Sequence, residues 1–165
     1  MKKYVIILCG LPGTGKSTWV KEFLKNDYII PDAPDVEVVE TVVLSGDKHI
    51  EKYASKVGIS YNEAFHLYQK ESRLLMNLEL FNAIKERKHI IWDNTNLSKK
   101  IREKRMASIP NSYGKLIIYF PYKSIEDLHE QQIRYRSDKV IDMQVLRDME
   151  ETLEIPTGDN VTIKG

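Results

Sequence analysis

A run of eight residues combines three glycines, a lysine and a serine in an order that suits the binding of phosphate groups. It reads Gly10-Leu11-Pro12-Gly13-Thr14-Gly15-Lys16-Ser17, with Thr18 following, and it has the form G-x-x-x-x-G-K-[ST]. Glycines let the backbone bend so that successive N–H groups point inward at phosphate oxygens. Lys16 would reach the β- and γ-phosphates, and the Ser17 hydroxyl would bind Mg²⁺. The motif therefore predicts a binding site for a nucleoside triphosphate.

The segments on either side of this motif are those that its mechanism needs. The apolar run Tyr4 to Cys9 predicts a buried strand, and a helix is predicted from about Lys16 to Lys25. A helix that begins at this point adds unpaired N–H groups and the positive end of its dipole to the phosphate site. An ordinary glycine-rich turn with an exposed lysine is the alternative, and the strand–loop–helix context argues against it.

Apolar runs of strand length alternate with helical patterns along the rest of the chain. Strands are predicted at Thr41 to Leu44, Lys88 to Trp92, Lys115 to Phe120 and Val161 to Ile163, and helices at Ser60 to Arg87, Ser98 to Ser108, Ser124 to Arg136 and Asp142 to Leu153. The segment Asn26 to Asp35, with two prolines and three acidic residues, predicts an exposed connection. We predict an α/β fold of the P-loop NTPase, nucleotide-kinase-like type. It has a parallel sheet of about five strands with helices on both faces, formed by residues 1–165 as a single domain.

Composition limits the classes of function. The formal net charge of +1 excludes a global basic field of the kind that drives non-specific binding to duplex DNA. Cys9 is the only cysteine, so an internal disulfide and a zinc site made of cysteines are excluded. No stretch approaches the roughly 20 apolar residues of a membrane span. We expect an intracellular, soluble, cytoplasmic protein with no membrane contact.

Polar residues follow the predicted strands at the edge where ligands bind in open parallel sheets. Ser45-Gly46-Asp47 follows the second strand. A carboxylate at that point would accept the proton of a hydroxyl group that is aligned with the γ-phosphate. The alternative role of Asp47 is the N-cap of a short helix through His49 to Ala54.

The third strand leads into Asp93-Asn94-Thr95-Asn96. Asp93 would hold a water molecule bound to Mg²⁺, and Thr95 and Asn96 would donate hydrogen bonds to an acceptor phosphate or base. An Asn/Asp turn that caps the next helix would use the same residues, and the two roles are compatible.

Cations lie at two further places. Arg134 and Arg136 fall at the end of the fifth predicted helix, where an arginine either closes over the transferring phosphate or only complements the helix dipole. The helix from Ser98 onward carries five cations and one glutamate up to Arg105. It would form a wall for an anionic strand, but a solvated charged face is the commoner role of such a helix.

Several motifs together resemble the 5′-polynucleotide kinase family. These are Gly10 to Trp19 ending in Gly-Lys-Ser-Thr-Trp, Asp93-Asn94-Thr95-Asn96-Leu97 followed by basic residues, and Val145-Leu146-Arg147-Asp148-Met149. The resemblance covers nearly the whole chain, and the phosphate loop is its one individually specific motif. It implies ATP and Mg²⁺ as cofactors and a setting in nucleic-acid repair, phage-encoded or cellular.

Residue by residue, the resemblance makes Lys16 and Ser17 the phosphate and Mg²⁺ ligands, Asp47 the general base and Arg136 the lid arginine. It also places Thr95 and Asn96 near the acceptor. The chain departs from the family at two positions. Ile50 stands where an arginine usually contacts the acceptor phosphate, and Asn94 stands where a carboxylate usually precedes the Thr-Asn pair. Two alternatives follow: Lys48, His49, Lys52 or a residue of the basic helix replaces that arginine, or the acceptor is a different one.

Three functions follow from these patterns. The first is an ATP-dependent kinase that phosphorylates the 5′-hydroxyl of a DNA or RNA end. The second is a kinase for a mononucleotide, a nucleoside or another small metabolite, which the near-neutral charge and Ile50 favour. The third is a nucleotide-dependent binding module whose acceptor site has decayed. The combined motifs favour the first.

Overall fold

The computed structural model describes residues 1–25, 35–136 and 139–165. Its elements, in chain order, are β1 (Tyr4–Cys9), α1 (Lys16–Lys25), β2 (Thr41–Leu44), α2 (Gly46–Val57), α3 (Tyr61–Lys85), β3 (His89–Trp92), α4 (Lys99–Ala107), β4 (Gly114–Tyr119), α5 (Ile125–Tyr135), α6 (Met143–Thr152) and β5 (Val161–Ile163). Of the connection predicted at 26–35, residues 26–34 lie outside the described residues.

The five strands of the described residues form one parallel sheet in the order β2-β3-β1-β4-β5. The predicted α/β fold with about five parallel strands is therefore confirmed. The predicted strands are all present, and their ends agree with the prediction to within one residue. The strand that precedes the phosphate loop lies at the centre of the sheet, between β3 and β4.

Helices cover both faces of the sheet, and β1 shows this in its own sequence. Its even-numbered residues pack against Phe23 of α1, while Val5 and Ile7 on the other face pack against Met76 of α3. Successive side chains of a strand point to opposite faces. A strand that is apolar at every position is therefore buried on both sides.

A third apolar cluster joins the phosphate loop to the last two helices. It consists of Leu11, Leu97, Ile125, Leu128 and Leu146. Because Leu11 belongs to the loop itself and is fully buried, packing of α5 and α6 fixes the position of that loop.

Serine residues begin four of the helices. Each is an N-cap whose hydroxyl accepts a hydrogen bond from a backbone N–H of the first turn, namely Ser45, Ser60, Ser98 and Ser124. Two alternatives from the sequence are therefore wrong: Asp47 does not cap α2, and the Asp93 to Asn96 turn does not cap α4. In both cases a serine near the acidic residue takes the N-cap position, which leaves the carboxylate free for other contacts.

The carboxyl ends of the strands lie at one edge of the sheet. Leu44 of β2 is paired with Trp92 of β3, and Trp92 is next to Ile7 of β1. The backbone N–H of Asp93 donates to the carbonyl of Leu44 at 2.8 Å. The loops after β1, β2 and β3 therefore leave the sheet side by side. In the described part of the chain, no helix is long and apolar enough to span a membrane.

Candidate active site

The phosphate loop runs from the end of β1 to the start of α1 and has the backbone that its glycines predict. Gly13 and Gly15 have φ of 82° and 95°, values that side chains other than glycine rarely adopt. A Cβ atom on Gly10 would lie 3.0 Å from Cβ of Phe120, so this position needs a glycine because the chain packs closely there. The Thr14 hydroxyl donates to the carbonyl of Leu11 at 2.8 Å and holds the turn.

Lys16 is the first residue of α1 and is buried. Its Nζ donates to the carbonyls of Gly10 and Leu11 at 2.8 and 2.7 Å. Burial lowers the pKa of Lys16 to about 8, against the opposing effect of the charges on Asp93 and Asp47. The lysine therefore lies across the mouth of its own loop, where it is within electrostatic range of both predicted carboxylates.

The other predicted residues of the loop differ in what they present to solvent. Ser17 and Thr18, in the first turn of α1, are exposed, so their hydroxyls are open to a ligand. Pro12 is half-buried, and Leu11 is part of the core. The Leu11 side chain therefore anchors the loop in the core.

Asp47 lies in the first turn of α2, at the same edge of the sheet as the phosphate loop. Its Oδ1 accepts a hydrogen bond from the Tyr61 hydroxyl at 2.5 Å, and its Oδ2 lies 2.8 Å from Nζ of Lys139. Burial acts to raise the pKa of Asp47, but the charge and hydrogen bond of Lys139, the Tyr61 hydroxyl and the charge of Lys16 outweigh it. The net pKa is lowered, so the carboxylate is kept ionised.

Tyr61 and Lys139 are not among the site residues predicted from the sequence. Tyr61 begins α3 and Lys139 follows α5, so neither is near Asp47 in sequence. Nζ of Lys139 also lies 4.3 Å from the centre of the Tyr61 ring and 3.1 Å from Oε1 of Glu51. Burial and the hydrogen bond to Asp47 raise the pKa of Tyr61, which keeps the hydroxyl a donor. No local motif signals such a cluster, because three separate elements form it.

The loop after β3 is bonded to the phosphate loop. The backbone N–H of Gly10 donates to the carbonyl of Thr95 at 3.0 Å. Asp93 is partly buried, and burial raises its pKa, while the charge of Lys16 acts in the opposite direction. Thr95 is half-buried. The predicted acceptor residues therefore lie beside the phosphate loop, as expected from the strand order.

Asn96 has a structural part in this loop. It is 3% exposed, and its φ is 48°, a left-handed conformation. Its Nδ2 donates to the carbonyls of Leu8 and Trp92 at 2.6 and 3.2 Å. A hydrogen bond from this amide to the phosphate-accepting substrate would require one of these bonds to break. Its predicted role in substrate binding stays a prediction.

Two arginines of α4 point toward the interior of the protein. The prediction of a solvated charged face on this helix is therefore only partly correct. Arg102 is buried, and its Nη1 donates to the carbonyls of Asn96 and Leu97 at 2.8 and 2.7 Å. Its Nη2 donates to the carbonyl of Glu154 at 2.7 Å. Arg102 therefore joins the loop after β3 to the segment after α6. The other inward cation of α4 is Arg105.

Arg105 lies over the ring of Trp92, with 4.8 Å between its guanidinium carbon and the ring centre. Its Nη1 donates to Oδ1 of Asn96. With the Asn94 amide turned so that its oxygen faces the guanidinium, that oxygen accepts from Nη2 at 3.3 Å. Burial lowers the pKa of Arg105 to about 10, and no ion pair to Arg105 occurs among the described residues.

Arg136 is the C-cap of α5 and is exposed. Its Nη2 lies 3.7 Å from Oε1 of Glu51 on α2. Arg136 therefore faces α2, the helix that Lys139 also contacts. Arg134, the other candidate, pairs with Glu130 one turn earlier on α5 at 2.8 Å. Of the two arginines, Arg136 is therefore the one that reaches toward the helix of Asp47.

A family model described as "AAA domain" (AAA_33) matches residues 5–156. The chain belongs to this family. AAA_33 is a family of P-loop kinases, and the chain is accordingly a P-loop kinase-like domain. No curated protein matches the sequence.

Solved structures with the same fold include proteins that act on very different molecules. A gluconokinase from Sinorhizobium meliloti 1021 has 18% identity and a TM-score of 0.58, with 97% of this chain and 81% of that chain covered. A chain of the Pnkp1/Rnl/Hen1 RNA repair complex has 18% identity and a TM-score of 0.68. There 92% of this chain is covered, but only 44% of that chain. A protein from Chloroflexus aurantiacus j-10-fl has 15% identity and a TM-score of 0.69, over 99% and 85%. At these identities the likeness shows the fold alone.

Proposed function

We propose that this protein is an ATP-dependent kinase that transfers the γ-phosphate to the 5′-hydroxyl of a nucleic-acid end. The observation that carries the proposal is the Asp47 carboxylate, which two donors hold ionised at the edge where the phosphate loop opens. A base at this place would take the proton of an acceptor hydroxyl that lies beside the phosphate donor.

The chemistry asks for few groups. The acceptor oxygen forms a bond to the γ-phosphorus, the bond between that phosphorus and the ADP oxygen breaks, and the hydroxyl proton passes to Asp47. Lys16 and Arg136 offset the negative charge that grows on the departing oxygen and on the transferred group. Lys16 lies beside the loop carbonyls, so it is already close to where the phosphates would bind.

The residues present fit a magnesium ion that is held mainly by substrate and water. Ser17 offers an exposed hydroxyl directly after Lys16, and Asp93 would hold one of the waters of the ion. No group of three or more His, Cys, Asp or Glu that could form a metal site occurs within 1–25, 35–136 and 139–165. Mg²⁺ at nucleotides commonly has one or two protein ligands together with phosphates and water. The ion would supply neutralisation of phosphate charge.

The position and charge of Arg105 support the proposal that the substrate is anionic. Of the cations considered as replacements for the arginine that is absent at position 50, Lys48 and His49 both pair with Glu79. Arg105 lies beside Asn94 without a carboxylate partner among the described residues. Three exposed lysines of the same helix extend the positive surface outward: Lys99, Lys100 and Lys104. A nucleic-acid strand would present its phosphates to this helix.

A small-molecule acceptor is the second candidate, and Ile50 favours it. This side chain is 3% exposed and packs with Ala54 and Ala64 between α2 and α3. The position three residues after Asp47 therefore contributes to the core and offers no contact to an acceptor phosphate. The gluconokinase with the same fold is an example of a P-loop kinase with a small acceptor.

The test is a transfer assay with γ-labelled ATP and Mg²⁺. Acceptors are 5′-hydroxyl DNA and RNA oligonucleotides, mononucleotides, gluconate and a blank without acceptor. Asp47→Asn is assayed beside Asp159→Asn, which removes a charge from an exposed residue of the C-terminal segment. Binding of a fluorescent ATP analogue is measured for each protein.

We expect wild type to place label on an oligonucleotide end. Asp47→Asn should lose this transfer but keep a nucleotide affinity within about threefold of wild type. Asp159→Asn should transfer normally. Label on small acceptors alone would establish the second candidate. Hydrolysis of ATP without any labelled acceptor would instead indicate a nucleotide-dependent binding module. An active Asp47→Asn variant would remove Asp47 as the base.

A further inference from the structure

Helix α3 is apolar on two opposite faces. One face packs on the sheet through Met76 and Ala83, and on α2 through Ala64. The opposite face carries large apolar side chains exposed by 65%, 60%, 56% and 64%: Leu67, Leu74, Leu78 and Phe81. We call these four residues the outer stripe. A helix that is apolar on both sides is characteristic of an element buried on both sides.

The spacing of the outer stripe places its members on one line. The steps are seven, four and three residues, which are those that bring side chains onto the same side of a helix. From Leu67 to Phe81 the stripe is about 21 Å long. Its exposed apolar surface is roughly 450 Å², within the range of about 300–600 Å² at which a surface patch is often functional.

Charged residues close the two ends of the outer stripe with opposite signs. Glu63 lies at the N-terminal end and Lys85 at the C-terminal end, both exposed. When a second copy of the helix is laid antiparallel with Leu74 against Leu74, Leu67 meets Phe81 and Glu63 meets Lys85. In a parallel arrangement Glu63 would instead lie against Glu63 and Lys85 against Lys85, which places like charges together. The stripe is therefore self-complementary about Leu74.

We propose that the outer stripe is the contact surface of a symmetric homodimer in which two α3 helices pack antiparallel. Two stripes supply roughly 900 Å² of apolar surface, and the flanking residues Lys70 and Glu71 bring the total above the ~1,000 Å² that a specific interface needs. An interface of this size sits at the weak end of the range. A dissociation constant on the order of 10 µM is accordingly expected. The proposal is independent of the proposed reaction.

The test is sedimentation equilibrium of the full chain from 1 to 200 µM. Leu74→Glu places two like charges on the two-fold axis, whereas Gln69→Glu adds the same charge at an exposed position of α3 outside the stripe. We expect wild type and Gln69→Glu to dimerise alike. Leu74→Glu should remain monomeric at 200 µM. Its thermal midpoint at 1 µM, where wild type is also mostly monomeric, should be unchanged, because the side chain is exposed in the single chain. A monomeric wild type, or a dimeric Leu74→Glu variant, would overturn the proposal.

The antiparallel register has its own test. Glu63→Lys puts lysine against Lys85 and is expected to weaken association at least threefold. The double variant Glu63→Lys/Lys85→Glu is expected to restore it, because the pair then has the opposite polarity. A double variant that dimerises no better than Glu63→Lys alone would contradict the antiparallel packing.

Discussion

The ammonium of Lys139 lies 2.8 Å from Oδ2 of Asp47 and 4.3 Å from the centre of the Tyr61 ring. A cation from the segment after α5 therefore bonds to the carboxylate at the start of α2, and the hydroxyl of Tyr61 bonds to the other oxygen of the same carboxylate. Two donors from distant parts of the chain thus determine both the orientation and the charge of one carboxylate.

The pH dependence of transfer tests these two contacts. The proposed base Asp47 would have to be ionised to accept a proton, so activity is expected to be lost as pH falls through the pKa of Asp47. Lys139 and Tyr61 lower that pKa against the opposing effect of burial. In Lys139→Met and in Tyr61→Phe the effect of burial is less opposed, and the acidic limb of the kcat/KM profile is expected to move to higher pH.

Lys56→Met serves as the control for these profiles, because Lys56 is an exposed lysine on the same helix as Asp47. Its acidic limb is expected to overlay that of wild type. Unchanged limbs in both Lys139→Met and Tyr61→Phe would show that the two contacts seen at Asp47 do not set its charge.

Binding of nucleotide is expected to take up a proton at alkaline pH. Lys16 has a pKa of about 8 in the free protein, so much of it is neutral at pH 8.5, and bound phosphates would favour the charged form. Calorimetry in buffers of different ionisation enthalpy measures the uptake. ATP affinity should fall by up to about tenfold per pH unit above pH 8. A Lys16→Met variant should bind weakly and show no such uptake.

Arg136 is expected to act on turnover more than on binding. Its ion pair with Glu51 is exposed and long, with 3.7 Å between Nη2 and Oε1. Arg136 can therefore exchange this partner for a phosphate oxygen. Arg136→Ala should lower kcat by about 10²–10³-fold and leave the ATP dissociation constant within about threefold. Arg134→Ala, which removes the arginine paired with Glu130, should change neither. Equal losses in kcat and affinity for Arg136→Ala would reduce it to a binding group.

Stability is expected to depend strongly on Arg102. Arg102→Met would leave the carbonyls of Asn96, Leu97 and Glu154 without their donors, and buried polar groups without partners are costly. Urea unfolding should show a loss of about 3 kcal/mol. Lys100→Met, two residues earlier at an exposed position of the same helix, should stay within about 0.5 kcal/mol of wild type.

Much of the fold could be predicted from local patterns. The apolar runs predict the strands to within one residue, and the helices predicted from Ser60, Ser98 and Ser124 begin within one residue of α3, α4 and α5. Helix α2 is longer than the short helix through His49 to Ala54 that the sequence suggests. The phosphate loop combined a motif with its structural context, so its backbone was predictable too. At each of these places one short segment carries the whole signal, because the hydrogen bonds and packing that form the element are local.

The contacts that hold Asp47 and the loop after β3 could not be predicted in this way. Tyr61, Lys139 and Arg105 come from three different elements, and only the assembled sheet brings them to the same edge. The burial of Arg102 could not be predicted either. Five cations in one short helix suggest a solvated surface, and a buried guanidinium that donates to carbonyls has no sequence signature. Side chains that act across the fold are specified by the topology, and a single sequence gives the topology only in outline.

The position of β1 has a consequence for how the protein is made. β1 is the central strand, yet its neighbours β3 and β4 come much later, Gly114 pairing with Tyr4 across 110 residues of chain. At ribosomal speeds of about 5–20 residues per second, the phosphate loop is synthesised roughly 5–20 s before β4, the strand that pairs with β1 on its second side. Bound nucleotide can therefore stabilise the finished molecule, but it cannot guide the early steps of folding on the ribosome.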